Sequence, residues 1–147
     1  MEEFIDEALK LARIAEKHGE VPIGAVVVKD GRIISRGYNQ REKKQNALLH
    51  AEVVAIMKAC KKLHSWRLDG CTLFVTLEPC PMCAGAILNA RMDRVVFGAY
   101  DLQSGYCVSN PSFVGGGVLN HKVEVVGGIK EEECKKLIQD FFRSKRK

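Results

Sequence analysis

No stretch of this sequence approaches the roughly 20 consecutive apolar residues that a membrane-spanning helix needs. The N-terminus, Met1-Glu2-Glu3-Phe4, is acidic, where a secretory leader would be basic and then apolar. These absences predict a chain that is neither exported nor membrane-bound, with a cytoplasmic home. No internal repeat, low-complexity tract or linker interrupts the 147 residues, which leaves one domain, 1–147, long enough to bury a single core. A composition of 46% hydrophobic and 28% charged residues excludes a disordered chain. In a reducing compartment the six cysteines are expected as thiols or metal ligands, not disulfides. Cys60, Cys71, Cys107 and Cys134 are scattered, and are expected as small buried apolar residues.

A net charge of +5 decides little, but its distribution is uneven. Arg143, Lys145, Arg146 and Lys147 crowd the C-terminal end, and Arg36, Arg41, Lys43 and Lys44 crowd a second stretch. Clusters of this kind suit a phosphate backbone. On charge alone, a solvated helix end and a solvated loop account for them equally well.

The pattern of elements is α/β. Phe4, Ala8, Leu9 and Ala12 recur at helical intervals over residues 2–17, and His18-Gly19 ends that helix. Val21 to Val28, then Asp30-Gly31, then Arg32 to Arg36 read as a hairpin with a primed turn. Gly24 within its first strand predicts a close approach to the backbone. After the polar, basic loop 40–45, Asn46 is a plausible N-cap for a helix with Val53, Val54, Ile56, Met57, Cys60 and Leu63 on its apolar stripe. Thr72 to Thr76 is a buried strand, Cys80 to Ala90 a helix, and Arg94 to Ala99 a strand parallel to the first. A long loop spans Asp101 to His121. Val123 to Val126 and a closing helix, Glu131 to Arg146, complete about five strands. In that helix Leu137, Ile138, Phe141 and Phe142 are spaced as a buried stripe, which favours a core position for Phe141 over a stacking role.

Two short stretches carry chemistry: His50-Ala51-Glu52 and Pro79-Cys80-Pro81-Met82-Cys83. His50, Cys80 and Cys83 can supply the three protein ligands of a catalytic zinc site that keeps a fourth position for water. Both stretches fall at helix starts, whose partial positive charge offsets two thiolates and lowers their pKa values. Glu52 lies about 200° around an ideal helix from His50, so it is no fourth ligand beside it. From the opening turn it can instead reach the activated water and act as general acid and base. A non-catalytic zinc module would need a fourth ligand, for which Cys71, His64 and Cys60 are the nearby candidates. None of them sits in a second paired motif.

The spacing H-x-E followed by P-C-x-x-C is that of zinc nucleobase deaminases. The likeness extends through Val21-Pro22-Ile23-Gly24-Ala25-Val26, Ser65-Trp66-Arg67-Leu68, Val75 to Ala86, Arg94 to Ala99, Asn120-His121-Lys122 and Phe141-Phe142-Arg143. Over nearly its whole length the chain resembles the bacterial tRNA-specific adenosine deaminase family. The resemblance implies a cytidine-deaminase-like three-layer α-β-α sandwich around a mixed sheet of about five strands, and a homodimer. It implies one Zn²⁺ per subunit on His50, Cys80 and Cys83, and conversion of the wobble adenosine of a tRNA anticodon stem-loop to inosine, with Glu52 shuttling protons. By the same likeness, Asn39 would hydrogen-bond the purine, the Ala51 backbone would hold the attacked end, and Asp101 would lie beside the sugar and backbone of the flipped nucleotide. The chain departs from the family pattern at two places that border the substrate. Asn46-Ala47-Leu48-Leu49 stands for the usual Asp-Pro-Thr-Ala, and Tyr106 to Pro111 for a run of small residues ending in Gly-Ser. A deaminase of a free base or nucleotide with the same fold is the alternative.

Overall fold

The computed structural model describes residues 1–110 and 122–145. Helix α1 (Glu2–Lys17) is followed by β1 (Gly24–Lys29), β2 (Arg32–Tyr38), a short α2 (Arg41–Lys44), α3 (Ala51–Leu63), β3 (Cys71–Leu77), α4 (Pro81–Asn89), β4 (Arg94–Ala99), β5 (Glu124–Val126) and α5 (Glu131–Lys145). The strands form one sheet in the order β2-β1-β3-β4-β5. β1 runs antiparallel to both β2 and β3, whereas β3, β4 and β5 are parallel to one another. Alternation along the strands separates two cores, because successive side chains point to opposite faces. Ala25 and Val27, Leu73 and Val75, Val95 and Phe97 pack with α3 and α4. Val26 and Val28, Phe74 and Val96 pack with Ile5 and Leu9 of α1 and Cys134 of α5. The result is the three-layer α-β-α arrangement that the sequence led us to expect. Among the described residues, no helix is long and apolar enough to cross a membrane.

The hairpin turn has the expected chemistry: Asp30 and Gly31 both take positive φ, 52° and 76°, as a primed two-residue turn requires. A bulge shifts the register between Val27 and Val28. Gly24 is indeed a close approach, since a Cβ there would lie 2.0 Å from Ala8 O of α1. Gly37, paired one step along with Ala25, is its counterpart. A Cβ there would meet Ala51 O at 2.4 Å and Ala55 N at 2.7 Å. The first turn of α3 therefore rests directly on β2, and any side chain at position 37 would lift it.

Several expectations are corrected. Asn46 is not the cap of α3; its Oδ1 accepts from Leu48 N–H at 3.0 Å in a local turn, and His50 occupies the N-cap. The face of α3 turned inward is Ala51, Val54, Ala55, Ile56 and Ala59, while Met57 is 58% exposed. Small residues go inward because the helix lies so close to the sheet. Cys60 is half-buried, its thiol directed to Trp66 O at 3.8 Å, whereas Cys71, Cys107 and Cys134 are buried as expected. The basic segment 41–44 is a helical turn and not a free loop. The buried Glu20 carboxylate pins it by accepting from Glu42 N–H at 3.2 Å and Lys43 N–H at 2.7 Å. Phe141 is buried and Phe142 exposed. Of the predicted 101–121 loop, residues 101–110 form turns closed by the Asn110 side chain, which donates to Gly105 O at 2.8 Å. The remainder, 111–121, with Asn120 and His121, lies outside the described residues, as do Arg146 and Lys147.

Candidate active site

His50 and Cys80 are the N-cap residues of α3 and α4. Both have extended backbone, with φ −71°, ψ 154° and φ −72°, ψ 174° respectively. An N-cap residue leaves the chain just before the helix begins, so its side chain stands over the free amides of the first turn. Pro81 at the first helical position fits there, since that position's N–H has no intrahelical partner. Cys83 follows one turn inside and is fully buried. His50 Nδ1 lies 3.6 Å from the Sγ atoms of both Cys80 and Cys83. The three ligand atoms all fall within 4.8 Å of one another. Cys71, His64 and Cys60 do not join them; among the described residues the group has three members.

The electrostatics follow from this crowding. The Cys83 thiol hydrogen-bonded to Cys80, helped by His50, brings the Cys80 thiol down to about 4. The proton is correspondingly held on Cys83, whose pKa is raised by the neighbouring Cys80 and by burial. His50 is shifted up by its hydrogen bond to Cys80. One imidazole and two thiols with a thiolate already favoured are a donor set suited to a soft or borderline divalent ion such as zinc.

Glu52, at the second position of α3, is 3% exposed, and its Oε1 has no hydrogen-bond partner. Burial raises its pKa to about 7, with the negative charge favoured on Cys80 adding to the effect. A buried carboxyl oxygen left unpaired beside a ligand cluster is costly in a finished core. It suits a group whose partner arrives with the chemistry.

The other predicted contacts fall into two places. Asn39, buried at the end of β2, accepts from Ala51 N–H through Oδ1 at 2.7 Å. The Ala51 amide is thus committed to Asn39, and the two residues form one unit at the start of α3. Asp101 stands apart. Its Oδ1 accepts from Gln103 and Ser104 N–H groups at 3.2 and 3.0 Å. It lines a groove of about 420 Å³ together with Leu77, Tyr100, Leu102, Ile138 and Phe142; none of His50, Glu52, Cys80, Cys83 and Asn39 lines that groove.

One residue of consequence was not singled out from the sequence. Glu78 is buried at the end of the segment leaving β3 and accepts hydrogen bonds from the 101–109 loop. Burial alone would raise its pKa, but the Ser109 hydroxyl and the backbone amides of the loop prevail and hold it below the usual range. The available signal was an acid closing an apolar strand directly before Pro79-Cys80.

Comparison with known proteins defines the class first. A family model described as MafB19-like deaminase matches residues 1–146. The tRNA-specific adenosine deaminase of Bacillus subtilis (strain 168) is 50% identical over 144 residues, 98% of this chain and 89% of that protein. A solved structure from work on A-to-I editing by tRNA:A34 deaminases at the wobble position of transfer RNA superposes with a TM-score of 0.88. It is 41% identical, over 92% of this chain and 98% of that one. A guanine deaminase from Bacillus subtilis matches over 67% of this chain and 64% of its own, with a TM-score of 0.65 and 46% identity. The chain belongs to the tRNA-specific adenosine deaminase family.

Proposed function

We propose that this protein hydrolytically deaminates adenosine to inosine at the wobble position of a tRNA anticodon, with zinc held by His50, Cys80 and Cys83. The observation that carries the reading is the unpaired Oε1 of Glu52, fully buried beside a three-member ligand cluster. A structural metal site would have no use for it, and would close with a fourth ligand. Zinc, when bound, supplies a Lewis acid that brings the pKa of water down to about 7. Glu52, buried beside the three ligands, does the proton work. Its carboxylate takes a proton from the attacking water and delivers it to the purine ring nitrogen beside the attacked carbon; it then takes the proton of the newly added hydroxyl and gives it to the departing amine as the carbonyl forms. The net change is adenosine plus water to inosine plus ammonia. With Oδ1 of Asn39 engaged by Ala51, the Asn39 amide nitrogen is the end available to donate to the purine. Ala51 acts by fixing that side chain.

Charge supports an RNA substrate. Arg41 stands near enough to His50 for its charge to lower the imidazole's proton affinity, and Glu20 fixes the Arg41–Lys44 turn in place. A basic turn beside His50 suits the phosphates around a splayed-out nucleotide. On this reading Asp101 and its groove lie along the flanking chain. The protein acts in the cytoplasm and as a homodimer, for which the exposed Met57 and Trp66 offer apolar surface to a second copy; sedimentation equilibrium tests that.

The similarity to a guanine deaminase supports a second reading, action on a free base. Incubation with an unmodified anticodon stem-loop, followed by nucleoside analysis for inosine, separates the two. Ammonia release from free guanine without inosine in the RNA would sink the tRNA reading.

A further inference from the structure

Glu78 leaves β3 two positions ahead of the ligand Cys80, and both of its oxygens serve one stretch of chain. Oε1 accepts from Asp101 N–H at 3.0 Å and from the Ser109 hydroxyl at 2.5 Å. Oε2 accepts from three consecutive amides, those of Cys107, Val108 and Ser109, at 3.1, 2.7 and 2.8 Å. Consecutive amides converging on one point form the kind of concavity that elsewhere holds a bound anion. Here the chain's own carboxylate fills it. Gly105 completes the fit, since a Cβ there would come within 2.4 Å of Glu78 Cδ. Tyr106 N–H donates to Pro79 O at 2.9 Å, so the same loop is also fastened to the residue between Glu78 and Cys80. Buried Cys107 is thereby held within electrostatic range of Glu52 and Cys80.

The donors are neutral groups of residues 101–109, at both ends of one loop. That loop carries Asp101, Leu102, Gln103 and Ser104, one wall of the groove whose other wall includes Phe142 of α5. Glu78 therefore joins the groove wall to the strand end that leads into the metal-binding helix.

We propose that Glu78 is a positioning residue for the substrate, a clasp that sets the 101–109 loop against the root of the Cys80 helix. The proposal rests on the reading that the Asp101 groove receives the polynucleotide flanking the reacting base. The clasp acts on how substrate is seated and leaves the proton chemistry of Glu52 alone, so its signature is in KM and not in kcat.

The test compares wild type with Glu78→Gln, Glu78→Asp and Ser109→Ala on three readouts. These are zinc content, hydrogen exchange of the amides at 101 and 107–109, and steady-state kinetics on the anticodon stem-loop. Glu78→Gln places an amide NH₂ among N–H donors; about tenfold faster exchange at those amides and about a tenfold rise in KM are expected, with kcat and zinc content near wild type. Ser109→Ala shifts both in the same direction by less, and Glu78→Asp restores part of the loss. Faster exchange with unchanged KM, or a fall in kcat at unchanged KM, overturns the proposal. If Glu78→Gln does not fold, Ser109→Ala decides alone: raised KM with faster exchange supports the clasp, and any other result overturns it. Should the wild type make no inosine, the tRNA reading fails separately. The clasp is then read from exchange alone: faster exchange at amides 101 and 107–109 in Glu78→Gln and Ser109→Ala supports it, and unchanged exchange overturns it.

Discussion

Two glutamates are withdrawn from water to nearly the same degree, Glu52 at 3% and Glu78 at 2% exposure, and their surroundings differ in every other respect. Glu52 has an oxygen with no partner, and its pKa rises to about 7. Glu78 collects five hydrogen bonds, from four amides and a hydroxyl, and its pKa falls. Burial by itself favours the neutral acid, whereas donors aimed at the oxygens favour the anion. Proton affinity near neutrality makes a carrier; a well-supplied anion makes an anchor. The difference lies in the donors as well as in depth, since Glu52 is the more deeply enclosed of the two.

The strongest way to break that contrast is to remove each acid in turn. Glu52→Ala is expected to cut single-turnover inosine formation by about 10²–10⁴-fold, the usual worth of a general acid-base group, with zinc content unchanged. Because its Oε1 has no partner to lose, the melting temperature should fall only slightly. Glu78→Ala should cost more stability, since four amides would lose their acceptor. At about 1–3 kcal/mol for a buried group left unsatisfied, calorimetry should show a clear drop in melting temperature. Equal destabilisation by the two substitutions would dissolve the contrast.

Gly37→Ala sharpens it from the backbone side. The added methyl would meet the first turn of α3 at Ala51 O, displacing His50 and Glu52 but nothing around Glu78. A loss of about 1–3 kcal/mol from overpacking is expected, with weaker zinc retention on dialysis and undisturbed exchange at amides 107–109. Ser109→Ala is milder, about 1 kcal/mol for one hydrogen bond, read from chemical denaturation. The smallest effect concerns thiols away from the site. Burial holds Cys134 up at about 12, so at pH 8 it is almost entirely protonated and should resist alkylation in the folded protein. The more open Cys60 should be modified first, as peptide mapping would show.

The sequence made most of this architecture legible, for reasons visible in particular residues. Asp30-Gly31 between two β-rich runs signalled a tight primed turn, and the helical spacing of Phe4, Ala8, Leu9 and Ala12 marked α1. His50, Cys80, Cys83 and Glu52 could be read together because H-x-E followed by P-C-x-x-C is a known deaminase signature; either half alone would have said little. What escaped was set by tertiary contact. Nothing local says that Ala51, Ala55 and Ala59 face the sheet while Met57 faces out; that follows from Gly37, fourteen residues or more upstream in the chain. Asn46 has the chemistry of a cap, but the cap position is held by His50. The acceptor role of Glu78 depends on amides 23 to 31 residues away, and no periodicity reports a pairing of that kind.

β3 is flanked by an antiparallel neighbour on one side and a parallel one on the other, and Glu78 follows its last residue. The loop is tied to that glutamate through main-chain amides and one hydroxyl, groups that most side-chain changes leave in place, while Tyr106 and Cys107 seat it in the core. The 101–110 segment can therefore be treated as an exchangeable cartridge with a fixed socket. Rewriting its outward residues, Leu102, Gln103 and Val108, is a route to new base or RNA preferences in which the cluster of His50, Cys80 and Cys83 needs no redesign.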